Sequence, residues 1–162
     1  MKVEYVTPFV AGSVSVIQTL INSTPERGKL SARPQMFTSQ QVNIVCGITG
    51  DIEGQVIYGM SLLTANKMAS KMLGGQPVPQ FDQLAASAIA ELGNMISGNS
   101  VTLLAQQSYT CDITPPTIVK GSNVKISTLD IPALVIPLVV ADVGEIEINV
   151  SLQQRKAKAE AA

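Results

Sequence analysis

Histidine does not occur anywhere in the 162 residues of this chain. Its absence excludes histidine general bases, Ser-His-Asp and Cys-His nucleophiles, and histidine ligands for metals. Any catalysis must therefore use carboxylates, amides, hydroxyls or groups that a partner supplies.

Aromatic residues and positive charge are also scarce. The chain has three tyrosines, three phenylalanines and no tryptophan, and its formal net charge is -1. Surfaces that bind nucleic acids need clustered cations or aromatic stacking platforms. We therefore expect no nucleic-acid partner.

Long apolar runs are missing as well. No run reaches the roughly 18 residues that span a bilayer, and Glu4 and Pro8 interrupt any signal-peptide pattern. We therefore expect a cytoplasmic protein that does not contact membranes. Cys46 and Cys111 lie in strand-like sequence, where small buried hydrophobes are expected and a disulfide is not.

Hydrophobic residues make up 46% of the chain and charged residues 14%, which is typical of a globular fold. The length suits one domain over residues 1–162. Periodicity predicts helices at 8–22, 64–73 and from 82 or 83 to 105. Strands are predicted near 33–39, 42–49, 55–62, 113–121, 134–140 and 145–152, before a frayed tail at 153–162.

Two details of the helices can be tested directly. Pro8 suits a first helical turn, with Thr7 as a possible cap. One apolar side of the long helix is expected to pack on a sheet or on another helix. Its residues are Leu84, Ala88, Leu92, Met95, Asn99 and Leu103.

The two halves of the chain resemble each other. An offset of 72 residues sets Ser15 on Ser87 and Asn22 on Asn94, and the two hairpins also match. Pseudo-repeats at about 8–62 and 80–152 follow. The predicted fold is α+β, with pseudo-twofold duplicated helix–strand–hairpin units that share an antiparallel or mixed sheet and two long helices packed on one face.

Glu91 is the only charged residue between Asp82 and Asp112. Residues three and four apart share a helix face, so Ser87, Glu91, Asn94 and Gly98 form one stripe. In the 72-residue comparison Glu91 falls on Thr19, so the first half lacks the acid. The stripe would then be complete in the second half only.

Asparagine does not titrate, but its amide donates and accepts hydrogen bonds at once, which suits holding a water molecule in a fixed orientation. Such positioning suffices in phosphoryl transfer, where the transition state is loose. Asn94 has Ala90 four residues before it and Gly98 four residues after it. With these small neighbours it could enter a partner's cleft. Spacing alone favours a merely solvated helix face, but the isolation of Glu91 and the small neighbours of Asn94 make the two interpretations about equal.

The pattern Ser87-x-x-x-Glu91-x-x-Asn94, with Pro115 or Pro116 about twenty residues later, resembles the CheC/CheX/FliY family of chemotaxis phosphatases. Size and a single complete motif favour the CheX-like branch. The resemblance implies a phosphatase that hydrolyses the aspartyl phosphate of a CheY-like response regulator. Asn94 would orient the attacking water and Glu91 would pair with a lysine of the regulator.

The resemblance has further implications. Ser87, Ala90 and Gly98 would support these two residues or contact the partner. The chain would have no metal or cofactor of its own, because Mg²⁺ would belong to the regulator, and it would form a homodimer through its sheets. Two other interpretations remain: a non-catalytic module similar to the middle domain of flagellar switch proteins, and a sensor that binds a small ligand.

Overall fold

A computed structural model describes residues 1–34, 38, 40–121, 124–126 and 131–156. The helices are α1 (Val3–Ile21), α2 (Leu62–Met72) and α3 (Gln83–Gln106). The strands are β1 (Glu26–Arg27), β2 (Ser31–Arg33), β3 (Val42–Gly50), β4 (Ile52–Met60), β5 (Cys111–Ile113), β6 (Thr117–Lys120), β7 (Ala133–Val140) and β8 (Gly144–Gln154). The predicted α+β class is confirmed.

These strands form one antiparallel sheet in the order β1-β7-β8-β4-β3-β5, with β2 also on β7 and β6 also on β3. Its centre is made by two hairpins, β3–β4 and β7–β8, which are joined where β4 pairs with β8. Each hairpin follows a long helix, α1 in the first half and α3 in the second. This is the duplicated arrangement that the sequence predicts.

Alternate residues of the central strands face the helices, as the two-residue period of a strand requires. On β4 these are Val56, Tyr58 and Met60, each fully buried. They pack in one core with Phe9 and Ile17 of α1 and with apolar residues of α3. The sheet therefore carries both long helices against a shared core.

Helix α1 begins at Val3, five residues before its predicted start, and Pro8 lies inside it. Thr7 is not a cap, because its hydroxyl donates to the carbonyl of Val3 at 3.1 Å within the helix. A proline this near the start removes one intrahelical hydrogen bond while its fixed φ remains helical. Burial of Tyr5 and Val6 then draws the chain before Pro8 onto the core.

Several strand boundaries also differ from the prediction. The strand predicted at 33–39 overlaps the observed strand β2 only at Arg33, where β2 ends. Residues 35–37 and 39 lie outside the described residues. The strand predicted at 113–121 is split at Pro115 and Pro116, which have no N–H to donate to a ladder. Part of the predicted tail is wrong: Gln153 and Gln154 pair with β4, although 157–162 lie outside the described residues.

The offset of 72 residues is wrong as a match between the helices. It would set Val3, where α1 begins, on Gly75, eight residues before α3 begins at Gln83. Asn22 is the C-cap of α1, with a left-handed φ of 52°, a conformation that asparagine tolerates well. Asn94 lies in the interior of α3, so the two asparagines are not equivalent. The limits of the repeats remain a prediction.

The buried side of α3 also differs from the predicted one. Leu84 and Asn99 are exposed, and Leu92 is the one predicted residue that is fully buried. The observed buried side is Ala85, Ile89, Leu92, Gly93, Ile96, Ser97, Ser100 and Leu104. In an alanine-rich helix apolar spacing is ambiguous, and serines can be buried once their hydroxyls are bonded.

Gly93 and Gly98 of α3 have different surroundings. Replacing each glycine by alanine should therefore change the stability of the protein differently. A Cβ at Gly93 would lie 2.4 Å from Cγ2 of Ile44 on β3, whereas a Cβ at Gly98 would meet nothing within 4 Å. Overpacking costs about 1–3 kcal/mol, and alanine favours a helix over glycine by up to about 1 kcal/mol.

We therefore expect Gly93→Ala to lower the free energy of unfolding by about 1–2 kcal/mol. Gly98→Ala should raise it by up to about 1 kcal/mol. Urea denaturation of both variants measures the two changes. Equal stabilisation by both substitutions would show that α3 does not pack closely on Ile44.

Candidate active site on the outer face of helix α3

Helix α3 is capped at its first turn and is hydrogen-bonded to the sheet near its middle, in addition to its apolar contacts. The Asp82 carboxylate caps its first turn, accepting from the Ala85 N–H at 2.9 Å. Near its middle the Tyr58 hydroxyl and Ser97 Oγ are 2.8 Å apart, and both side chains are fully buried. The position of α3 is therefore fixed by the sheet, and the residues on its outer face are held in place with the helix.

Two side chains between α3 and the sheet could react if they were ionised, but their burial keeps them neutral. Burial raises the pKa of the Tyr58 hydroxyl well above its usual range, although the bond with Ser97 opposes the shift. Burial likewise raises the pKa of the Cys46 thiol, which lies 3.9 Å from the Gly93 carbonyl. Both groups are structural. Both cysteines are free thiols; Cys46 is buried as predicted, whereas Cys111 is half-buried.

The predicted stripe runs along the opposite, outer face of α3. Ser87 and Glu91 are exposed, while Ala90, Asn94 and Gly98 are half-buried. Among the residues that the structure describes, none forms a hydrogen bond or ion pair with the side chains of Glu91 and Asn94. Their polar groups are therefore available to a partner and have no visible role in holding the fold.

A second wall faces this stripe across an open groove of about 500 Å³. The helix contributes Ser87, Ala90, Glu91 and Asn94, and the chain between β5 and β6 contributes Ile113, Thr114, Pro115 and Pro116. Four of the five predicted site residues thus line one groove together with both predicted prolines. Gly98 does not line it.

Ile113 and Thr114 also line the groove, although no sequence motif indicated them. Thr114 precedes the two prolines, and the residue before a proline is restricted to extended backbone, which is the one local signal for its placement. Its contact with β3 depends on pairing between distant strands. Periodicity along the chain does not report such pairing.

The described residues hold no group of three or more His, Cys, Asp or Glu side chains that could bind a metal ion. In the same residues, no helix has the length and hydropathy to cross a membrane. Among the residues with a described position, Glu91 is the one carboxylate that lines the groove.

Comparison with known proteins gives the family. The family model described as "Chemotaxis phosphatase CheX" matches residues 42–139, which include β3, β4, α3 and most of β7. The chain belongs to the CheX family. A CheX relative from Thermotoga maritima, named CheY-P phosphatase CheX, is 35% identical over 153 residues, covering 94% of this chain and 98% of the relative.

Solved CheX structures have the same fold. The chemotaxis protein CheX of Desulfovibrio desulfuricans is 25% identical, with a TM-score of 0.82 over 94% of this chain and 99% of that one. CheX of Borrelia burgdorferi, solved as a CheX-CheY-BeF3-Mg+2 complex, is 31% identical, with a TM-score of 0.79 over 93% of this chain and 98% of that one.

Proposed function

We propose that this CheX-family protein hydrolyses the aspartyl phosphate of a phosphorylated CheY-like receiver domain. Two relatives support the activity and the partner. The Thermotoga maritima relative is named a CheY-P phosphatase, and the Borrelia burgdorferi relative was solved in complex with CheY, BeF3 and Mg²⁺. Both resemble this chain along more than nine-tenths of its length.

The observation that carries the proposal is the groove beside α3. It gathers a carboxylate and an amide, Glu91 and Asn94, that have no hydrogen-bond partners among the described residues. Both side chains are carried by a helix packed on the sheet, and sites built on helices are held more precisely than sites on loops. A merely solvated face would need no second wall of threonine and prolines.

Asn94 would act by orienting water. Its amide oxygen can accept a hydrogen bond from the water and its N–H can donate one, so the water oxygen would be aimed at phosphorus opposite the aspartyl oxygen. The new bond joins the water oxygen to phosphorus while the bond from phosphorus to the aspartyl oxygen breaks. The products are a free carboxylate, inorganic phosphate and the proton lost by water.

This reaction does not require a strong base on the phosphatase. The leaving carboxylate is stable as an anion, and a loose transition state forms little bond to water before the old bond breaks. An amide that cannot titrate is therefore sufficient. A chain without histidine is compatible with this chemistry.

Glu91 would hold the partner in place. It lies three residues before Asn94 on the same face and is exposed, so its carboxylate can pair with a lysine at the mouth of the receiver's active site. Ser87 and Ala90 line the same groove and leave room for the receiver backbone. Gly98, with open space beside it, would let the partner approach α3 one turn beyond Asn94.

Magnesium would be supplied by the receiver. The described part of the chain places one carboxylate in the groove, and Mg²⁺ is normally held by several carboxylate, carbonyl and water oxygens. The residues described here therefore do not fit a magnesium site of their own. Bound in the receiver, Mg²⁺ would supply neutralising charge to the phosphoryl group from the partner's side.

The proposal is tested by phosphate release from a panel of phosphorylated receiver domains, with and without this protein. Faster release from at least one receiver supports the phosphatase. Binding to a receiver without faster release would instead support the non-catalytic module.

We also propose a homodimer and a cytoplasmic location, which the family resemblance implies. Light scattering should then give twice the 17.1 kDa mass of one chain. A mass of one chain at all concentrations would exclude the homodimer.

A further inference from the structure

The edge of the sheet next to the groove is interrupted at Gly47 of β3. On one side of Gly47, β5 pairs with β3 from Ile48 to Gly50. On the other side, β6 pairs with β3 from Val42 to Val45. The chain between β5 and β6 leaves the ladder at Pro115 and Pro116, which is possible because edge strands tolerate proline.

Thr114 spans this gap with two hydrogen bonds to Gly47. The Gly47 N–H donates to Thr114 Oγ1 at 2.8 Å, and the Thr114 N–H donates to the Gly47 carbonyl at 2.9 Å. The threonine hydroxyl thus replaces the backbone acceptor that a regular ladder would supply. These two bonds, here called the Thr114 clamp, fix the backbone immediately before the prolines.

Gly47 leaves the space that the clamp needs. A Cβ at this position would lie 2.8 Å from Thr114 Oγ1 and 2.9 Å from its Cγ2. No carbon atom fits there without displacing either Thr114 or β3. The close contact with Thr114 therefore explains why position 47 is a glycine.

We propose that Thr114 is a positioning residue that sets the width of the groove. Thr114 and the two prolines line the wall opposite Glu91 and Asn94, so a shift of Thr114 moves this wall. The inference rests on the proposed function, in which the receiver docks on α3 beside this wall. A displaced wall would bind the receiver less well, while Asn94, held on α3, keeps its chemistry.

Thr114→Val tests this, because valine keeps the branched shape and removes the acceptor for the Gly47 N–H. We expect KM for the phosphorylated receiver to rise about fivefold, the effect of one net hydrogen bond, with kcat changed less than about twofold. Thr114→Ser keeps the hydroxyl and should retain the wild-type KM. Because Thr114 is exposed, the melting temperature should fall by less than about 5 °C.

Gly47→Ala is the second variant, because it keeps the hydroxyl but pushes on it. It should raise KM in the same direction, and it carries the test if Thr114→Val does not fold. An unchanged KM in a folded Thr114→Val or Gly47→Ala protein, or an equal KM rise in Thr114→Ser, would overturn the clamp while leaving the phosphatase intact. No phosphate release by the wild-type protein would instead overturn the proposed function, and the clamp with it.

Discussion

Asn94→Ala is expected to lower receiver phosphate release by at least about 10²-fold, the usual effect of removing one positioned hydrogen-bonding group. The expected loss lies in kcat, because the amide would act on the water and contribute little to binding the receiver. The fold should be unaffected. The Asn94 side chain is half-buried and forms no hydrogen bond among the described residues, so stability should change by no more than about 0.5 kcal/mol.

The chain supplies a matched control for this variant. Asn99 lies on the same helix, is exposed and does not line the groove, so Asn99→Ala removes an identical amide outside the proposed site. Phosphate release should be followed from a receiver phosphorylated with a small phosphodonor, using both variants and the wild type. When the wild-type protein is active, an equal kcat for Asn94→Ala would rule out the proposed water-orienting role.

The sequence could predict those elements that local patterns determine. The predicted ends of both hairpins and of the long helix lie within three residues of the observed ones, because period-two alternation, the turn at Gly50 and the Asp82 cap are all local features. The predicted start of α1 is wrong because a proline such as Pro8 can occupy either the first turn of a helix or a position inside one. The neighbouring sequence does not distinguish the two cases. Burial of the residues before Pro8 decides between them.

The candidate site also has one part that the sequence could predict and one part that it could not. Glu91 and Asn94 could be found because helical spacing puts them on one face and one charge in an apolar helix is conspicuous. The opposite wall could be only partly foreseen, through the family's proline. Thr114 reaches the groove because β5 and β6 pair with β3, more than sixty residues earlier in the chain. The contact between Gly47 and a threonine far along the chain produces no periodic pattern in the sequence.

Glu91→Ala is expected to weaken binding of the phosphorylated receiver about 30-fold, or about 2 kcal/mol, the lower range for a charge pair that becomes desolvated in a complex. Glu91 is exposed and unpaired among the described residues, so its loss should leave the melting temperature unchanged. Binding can be measured by fluorescence anisotropy with a receiver held in its activated form by beryllofluoride. This readout needs no hydrolysis and so separates binding from the chemistry assigned to Asn94.

Two further variants distinguish charge from shape and from position. Glu91→Gln keeps the length of the side chain and removes its charge, so it should lose most of the same affinity. Asp112→Asn removes an exposed carboxylate on β5 that does not line the groove, and it should bind as the wild type does. Affinity of the wild type should fall with added salt more steeply than that of Glu91→Gln, because salt screens the missing attraction. Equal salt dependence would mean that Glu91 contacts no cation in the complex, and its place beside Asn94 would then need a different explanation.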